Sequence, residues 1–220
     1  MNIKVRILFL LLLFSFVGCK VKDKPYWEDI QKFKTIDQQN SPIQQRILFI
    51  GSSSFTYWKD VQEYFPNHSI TNRAFGGSTL LNLIEYKNDI LNPYHPKQIV
   101  IYCGENDIAN DDKVTGETVY NRFLVLFEII KHKYPDVFVA YVSMKPSPSR
   151  WHLKDKMMDG NRRIETFLKS EKNTVFINIW DKMLDEKGKP MGIIFLKDSL
   201  HMNPKGYEIW KKEIAPNLKF

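Results

Sequence analysis

From Arg46 onward, short apolar runs alternate with longer segments in which apolar residues recur every three or four positions. The short runs are Ile47 to Ile50, Ser69 to Ala74, Gln98 to Cys103, Val137 to Met144 and Thr174 to Trp180. Most are rich in β-branched and aromatic residues, which suit the pleated, half-buried surface of a strand. Ser69 to Ala74 is the weakest of them, because polar residues intrude. Between the third and fourth runs, Val119, Phe123, Leu126, Phe127 and Ile130 form one helical stripe, and Pro135 ends the segment. Further helices are predicted over 79–91, about 155–170 and 204–214. Strands alternating with helices imply an α/β fold, a three-layer α/β/α sandwich around a central parallel sheet of about five strands, because right-handed crossovers place helices on both faces.

The first residues show another pattern. Lys4 and Arg6 precede the apolar run Ile7 to Val17, long enough for the core of a signal peptide and too short to span a bilayer as a helix. The run ends in Phe16-Val17-Gly18-Cys19, which resembles a bacterial lipoprotein cleavage box with Phe16 where leucine is more usual. Residues 1–18 then read as an export signal and Cys19 as the lipidated first residue of an exported, membrane-anchored protein in the periplasm or at the cell surface. An ordinary secretory signal or a retained anchor are the other readings of this segment. Residues 19–45 are polar and charged, with Tyr26, Ile30 and Phe33 at helical spacing. They read as a tether and one docking helix ahead of a catalytic domain over 46–220.

Composition supports one domain with a full core, since 43% of the 220 residues are hydrophobic and 14% aromatic. The net charge of +7 falls to +5 without Lys4 and Arg6. The lysines are scattered and no nucleic-acid-binding motif accompanies them, so no nucleic acid partner is expected. With Cys19 lipidated, Cys103 has no intramolecular partner and reads as a small buried strand residue.

Four short segments carry candidate chemistry: Gly51-Ser52-Ser53-Ser54, Gly76-Gly77-Ser78, Gly104-Glu105-Asn106-Asp107 and Asp198-Ser199-Leu200-His201. The first three come directly after predicted strands and the fourth precedes the last helix. Ligands of open parallel sheets bind at the carboxyl ends of the strands, so all four converge on one rim. A serine hydroxyl attacks well only when a base takes its proton and a third group fixes the base's tautomer. Asp198 and His201 are close enough in sequence for the carboxylate to reach the imidazole, leaving the other ring nitrogen for Ser53. The backbone N–H groups of Ser53 and Gly77 and the amide of Asn106 are candidate oxyanion donors. Each segment alone is commonly a plain turn. Their joint order and placement point to a serine hydrolase.

These four segments resemble the blocks of the SGNH, or GDSL-like, hydrolase family of esterases and lipases, over about residues 46–214. Phe49-Ile50-Gly51-Ser52-Ser53-Ser54 together with Asn72-Arg73-Ala74-Phe75-Gly76-Gly77-Ser78 looks like its Gly-Ser-Ser subgroup. The resemblance implies Ser53 as nucleophile, His201 as base oriented by Asp198, and Ser53, Gly77 and Asn106 as the oxyanion hole. Where many members carry an aspartate before the nucleophile, this chain has Ser52, which brings no charge. The chemistry implied is double displacement through an acyl-enzyme, with no metal and no cofactor. His68, His95, His132 and His152 show no metal-ligand spacing.

Substrate preference is less legible. Lys145-Pro146-Ser147-Pro148-Ser149-Arg150-Trp151 comes after the fourth strand and is expected to overhang the rim, where Lys145, Arg150 and Trp151 are candidate grips for an anionic or sugar-like leaving group; the other reading is a solvated loop over a packed Trp151. By analogy with secreted relatives, the expected reaction is removal of a short acyl group, acetyl foremost, from a carbohydrate or other small ester. A lysophospholipid or other lipid ester is the alternative substrate. A glycan-binding lipoprotein without turnover is the alternative class.

Overall fold

The computed structural model describes residues 24–220. Helix α1 (Trp27–Gln39) leads into β1 (Ile47–Gly51), then the short helices α2 (Ser53–Thr56) and α3 (Val61–Tyr64) and β2 (Ile70–Asn72). Two short helices, α4 (Leu80–Glu85) and α5 (Lys87–Ile90), precede β3 (Gln98–Tyr102). Then come α6 (Glu105–Ala109), α7 (Gly116–Lys133), β4 (Phe138–Val142), α8 (Lys154–Ser170), β5 (Thr174–Ile177) and α9 (Pro204–Ile214). The five strands form one parallel sheet in the order β2-β1-β3-β4-β5.

Alternation along each strand sends side chains to two cores. Leu48, Ile50, Ile99, Ile101, Val139 and Tyr141 pack on one face with the helical stripe Val119, Phe123, Leu126, Phe127 and Ile130. Ile47, Phe49, Val100, Tyr102, Ala140 and Val142 pack on the other with Trp58, Tyr207 and Trp210. With both faces covered, the central strands read as continuous apolar runs. This is the three-layer α/β/α sandwich expected from the pattern.

The differences lie at element ends. The second strand is only Ile70–Asn72, because Asn72 turns its side chain to the Phe55 carbonyl (2.7 Å) and its Oδ1 to the Ala74 N–H (3.1 Å). The helix expected over 79–91 is split at Tyr86, whose hydroxyl reaches across to the Pro25 carbonyl at 2.6 Å. The fifth strand stops at Ile177, where the Asn178 side chain accepts the Trp180 N–H at 2.9 Å and turns the chain away. The export signal expected over residues 1–18 and the lipidation expected at Cys19 lie outside the described residues. Among the described residues, no helix is long and apolar enough to cross a membrane.

Candidate active site

Strand β1 ends at Gly51, whose φ of 144° is open to glycine; a Cβ there would stand 2.0 Å from the Tyr102 carbonyl oxygen of the neighbouring strand. The turn delivers Ser53 as the first residue of α2, half-buried at the carboxyl edge of the sheet. No hydrogen bond occupies the Ser53 N–H among the described residues, as the first turn of a helix dictates.

The turn after β2 is sewn to this point. The Gly51 carbonyl accepts from the Phe75 N–H and from the Ser78 hydroxyl, both at 3.0 Å. Gly77 lies between them, exposed, with a φ of 82°. Asn106, on α6 after β3, donates its Nδ2 to the Ser52 hydroxyl oxygen (2.7 Å) and to the Ser78 carbonyl (3.0 Å). One amide thus ties the three turns together, and Ser52 supplies a neutral acceptor. Asp107 beside it is buried, accepting from the Leu80 N–H (2.9 Å) and pairing with Arg122 (2.8 Å).

Asp198 and His201 form a closed unit. Asp198 Oδ2 meets His201 Nδ1 at 2.7 Å, while Oδ1 accepts the backbone N–H groups of Leu200 and His201, both at 2.9 Å. Burial works against the ionised carboxyl, but the His201 ring and the two backbone N–H groups outweigh it and hold its pKa at about 2. The loop is anchored to the Ser53 turn. Tyr57, one helical turn beyond Ser53 and bonded through its N–H to the Ser53 carbonyl (2.8 Å), sets its ring edge-on to His201 with centroids 4.6 Å apart. From α9, Tyr207 donates to the Ser54 carbonyl at 2.9 Å. No hydrogen bond joins Ser53 Oγ to His201 among the described residues; Tyr57 is the residue that touches both, through its N–H to the Ser53 carbonyl and its ring to His201.

The loop after β4 departs from expectation. Lys145 does not overhang the rim: it is buried, with Nζ 2.9 Å from Glu105 Oε2. Arg150 takes the other oxygen at 2.9 Å, and the Tyr102 hydroxyl also donates to this carboxylate. Burial disfavours the charged Glu105, but the two cations overcome this and leave its pKa below the ordinary carboxylate value. Trp151 is half-buried and stacked on Trp180, with Lys154 and Lys189 over its ring, so its faces are largely taken. Of the three expected grips, Lys145 is buried and Trp151 is stacked, while the Arg150 side chain is paired to Glu105 and 18% exposed. The loop contributes instead through Ser149, whose N–H (3.1 Å) and hydroxyl (3.0 Å) both donate to the Ser199 carbonyl, inside the Asp198–His201 turn. Sequence spacing does not single out Glu105, Ser149 or Tyr57, because their partners lie on other elements. Among the described residues, no cluster of His, Cys, Asp or Glu is arranged as a metal site.

No curated protein matches the chain. Solved structures do share its fold. A Streptococcus pneumonia protein named for platelet activating factor is 22% identical with a TM-score of 0.76, covering 87% of this chain and 92% of its own. A GDSL-like lipase from Bacteroides thetaiotaomicron is 22% identical (TM-score 0.72; 86% and 96% covered). An acetyl-xylooligosaccharide esterase from Geobacillus Stearmophilus is 14% identical (TM-score 0.62; 80% and 94% covered). The family model for GDSL-like lipases and acylhydrolases matches residues 51–209, which takes in all four site segments. The chain therefore belongs to the GDSL-like lipase/acylhydrolase family and is a carboxylic ester hydrolase.

Proposed function

We propose that this esterase removes short acyl groups, acetyl foremost, from a carbohydrate, through Ser53, His201 and Asp198. The observation that carries the proposal is the Asp198–His201 unit, whose carboxylate is committed by three hydrogen bonds to one orientation of the imidazole beside the Ser53 turn. With its proton on Nδ1, the ring leaves Nε2 unprotonated for the serine. Ser53 attacks the ester carbonyl while His201 takes the hydroxyl proton. The oxyanion is received by the free N–H groups of Ser53 and Gly77, and the Asn106 amide exchanges its bond to Ser52 for one to the same oxygen. His201 then protonates the leaving alcohol, the acyl group stays on Ser53, and water repeats the cycle to release the acid. The short-acyl, carbohydrate preference is supported by fold likeness to an acetyl-xylooligosaccharide esterase and a carbohydrate esterase.

A second reading, an ester with a longer apolar group, is favoured by one local feature. Tyr57 and Leu196 are 54% and 48% exposed, and both adjoin His201, Tyr57 through its ring and Leu196 across the turn through its N–H (2.7 Å). The export signal and lipidation at Cys19 complete the proposal: the enzyme works on a membrane surface in the periplasm or outside the cell.

A serine-directed fluorophosphonate tests the nucleophile. It is expected to label Ser53 and to fail on Ser53→Ala; label on another serine overturns the assignment. An acyl-length series of aryl esters beside acetylated glycans separates the two substrate readings, with the highest kcat/KM expected for acetyl. A steady rise towards long chains selects the second.

A further inference from the structure

The oxyanion loop has a weak link. Phe75 and Ser78 are fixed to the Gly51 carbonyl, and Ser78 is also held by Asn106, but the connection between them is Gly76-Gly77. Two glycines in a turn have wide conformational freedom, and a donor that wanders stabilises an oxyanion poorly. Among the described residues, one hydrogen bond reaches the Gly77 backbone: the Tyr26 hydroxyl donates to the Gly77 carbonyl at 3.0 Å.

Tyr26 is itself firmly placed. It stands at the entry of α1 with a φ of 66°, a left-handed conformation that costs a tyrosine about 1–2 kcal/mol. Its ring packs on Phe75 with centroids 5.1 Å apart, and the preceding Pro25 carbonyl is held by the Tyr86 hydroxyl at 2.6 Å. Lys24 adds an ion pair to Glu85 at 3.4 Å. Burial, with a smaller effect from Cys103, raises the phenol above its ordinary pKa, so it remains a donor through the working pH range. A Cβ at Gly77 would lie 3.7 Å from the Tyr26 oxygen, an ordinary van der Waals contact, so crowding does not lock the loop here. Tyr26 lies outside residues 51–209, the segment that matches the family model.

We infer that Tyr26 is a positioning residue for the oxyanion hole: by holding the Gly77 carbonyl, it fixes Gly77 in the conformation whose N–H stays free for the developing charge. The helix ahead of the hydrolase segment is then part of the catalytic apparatus. This inference rests on the oxyanion role proposed above for Gly77.

Tyr26→Phe removes the hydroxyl and keeps the ring on Phe75. Loss of one such bond is expected to lower kcat on an aryl acetate about fivefold with KM unchanged. Affinity for a boronic acid that forms a tetrahedral adduct on Ser53 falls by the same factor. In 15N-glycine-labelled protein, the Gly77 amide resonance shifts and its hydrogen exchange quickens. Wild-type kcat, wild-type boronate affinity and an unmoved Gly77 amide in Tyr26→Phe overturn the inference. So does an effect seen only in Tyr26→Ala, which assigns the role to the ring. A wild-type chain without esterase activity, but with a Gly77 amide that responds to Tyr26→Phe, refutes the ester-hydrolysis mechanism and supports the hold of Tyr26 on the loop.

Discussion

Asp198 divides its two oxygens between the backbone and the His201 ring, the proposed base, and that division decides what an amide in its place would do. The backbone N–H groups of Leu200 and His201 need an acceptor at Oδ1, so in Asp198→Asn the amide oxygen takes that position and the NH₂ faces His201 Nδ1. Nδ1 must then accept, the ring proton moves to Nε2, and the base can no longer receive the serine proton. Size and hydrogen-bond count are preserved, yet kcat is expected to fall about 10³- to 10⁴-fold with KM little changed. A variant that retains a tenth of wild-type kcat contradicts the assigned tautomer. The carboxyl pKa of about 2 also sets a pH window. For a depressed carboxyl, the contribution is complete above the ordinary value of about 3.9 and disappears as pH falls through the folded value. Asp198 therefore holds His201 undiminished down to about pH 4, and any loss of activity between pH 7 and pH 4 comes from another group.

At the scale of elements, the site is built from strand exits, and these were the legible part. Ser53, Gly77 and Asn106 could be placed because apolar runs announce strands and glycine announces the turns that end them. What joins the turns was not legible, because an ion pair between elements leaves no spacing in the sequence. Its position after β4 makes Lys145 read as a rim residue, whereas the side chain turns inward to Glu105, forty positions earlier. The split of the helix at Tyr86 has the same origin, a hydroxyl bonded to Pro25 far upstream. Glu105 also yields a prediction. Its carboxylate meets Lys145 and Arg150, and Arg150 comes directly after Ser149, the residue that grips the Asp198–His201 turn. Glu105→Gln leaves the Lys145 ammonium buried without a counter-charge and is expected to cost about 3–5 kcal/mol of stability. Because the folded pKa of Glu105 is lowered, its stabilisation is complete above about pH 4.3 and is lost as pH drops through the folded value. Denaturant melts should show a constant gap between wild type and variant above about pH 5 that narrows below about pH 4. A gap that widens on acidification assigns the stabilisation to another group.

For the whole molecule, the distance between the proposed anchor and the site becomes a physical limit. Tyr26 touches the oxyanion loop and stands seven residues after Cys19. A chain extends at most about 3.6 Å per residue, so a lipid on Cys19 keeps the loop within about 25 Å of the membrane plus the reach of one tyrosine side chain. A site held that close to a bilayer by the proposed anchor would meet esters carried near the membrane surface, and soluble esters would reach it by diffusion whatever the tether length. Inserting a flexible Gly-Ser segment of about twenty residues between Cys19 and Lys24 enlarges the accessible shell, since the end-to-end distance of such a linker grows as the square root of its length. In vesicle-bound enzyme, the insertion is expected to leave turnover of a soluble aryl acetate unchanged and to lower turnover of an acetylated glycan attached to the same vesicles. The local concentration that the short tether imposes is diluted over a larger volume. Equal loss on both substrates means the insertion has disturbed Tyr26 and the oxyanion loop instead. No loss on either means that the seven-residue spacing does not direct the enzyme to surface-bound esters.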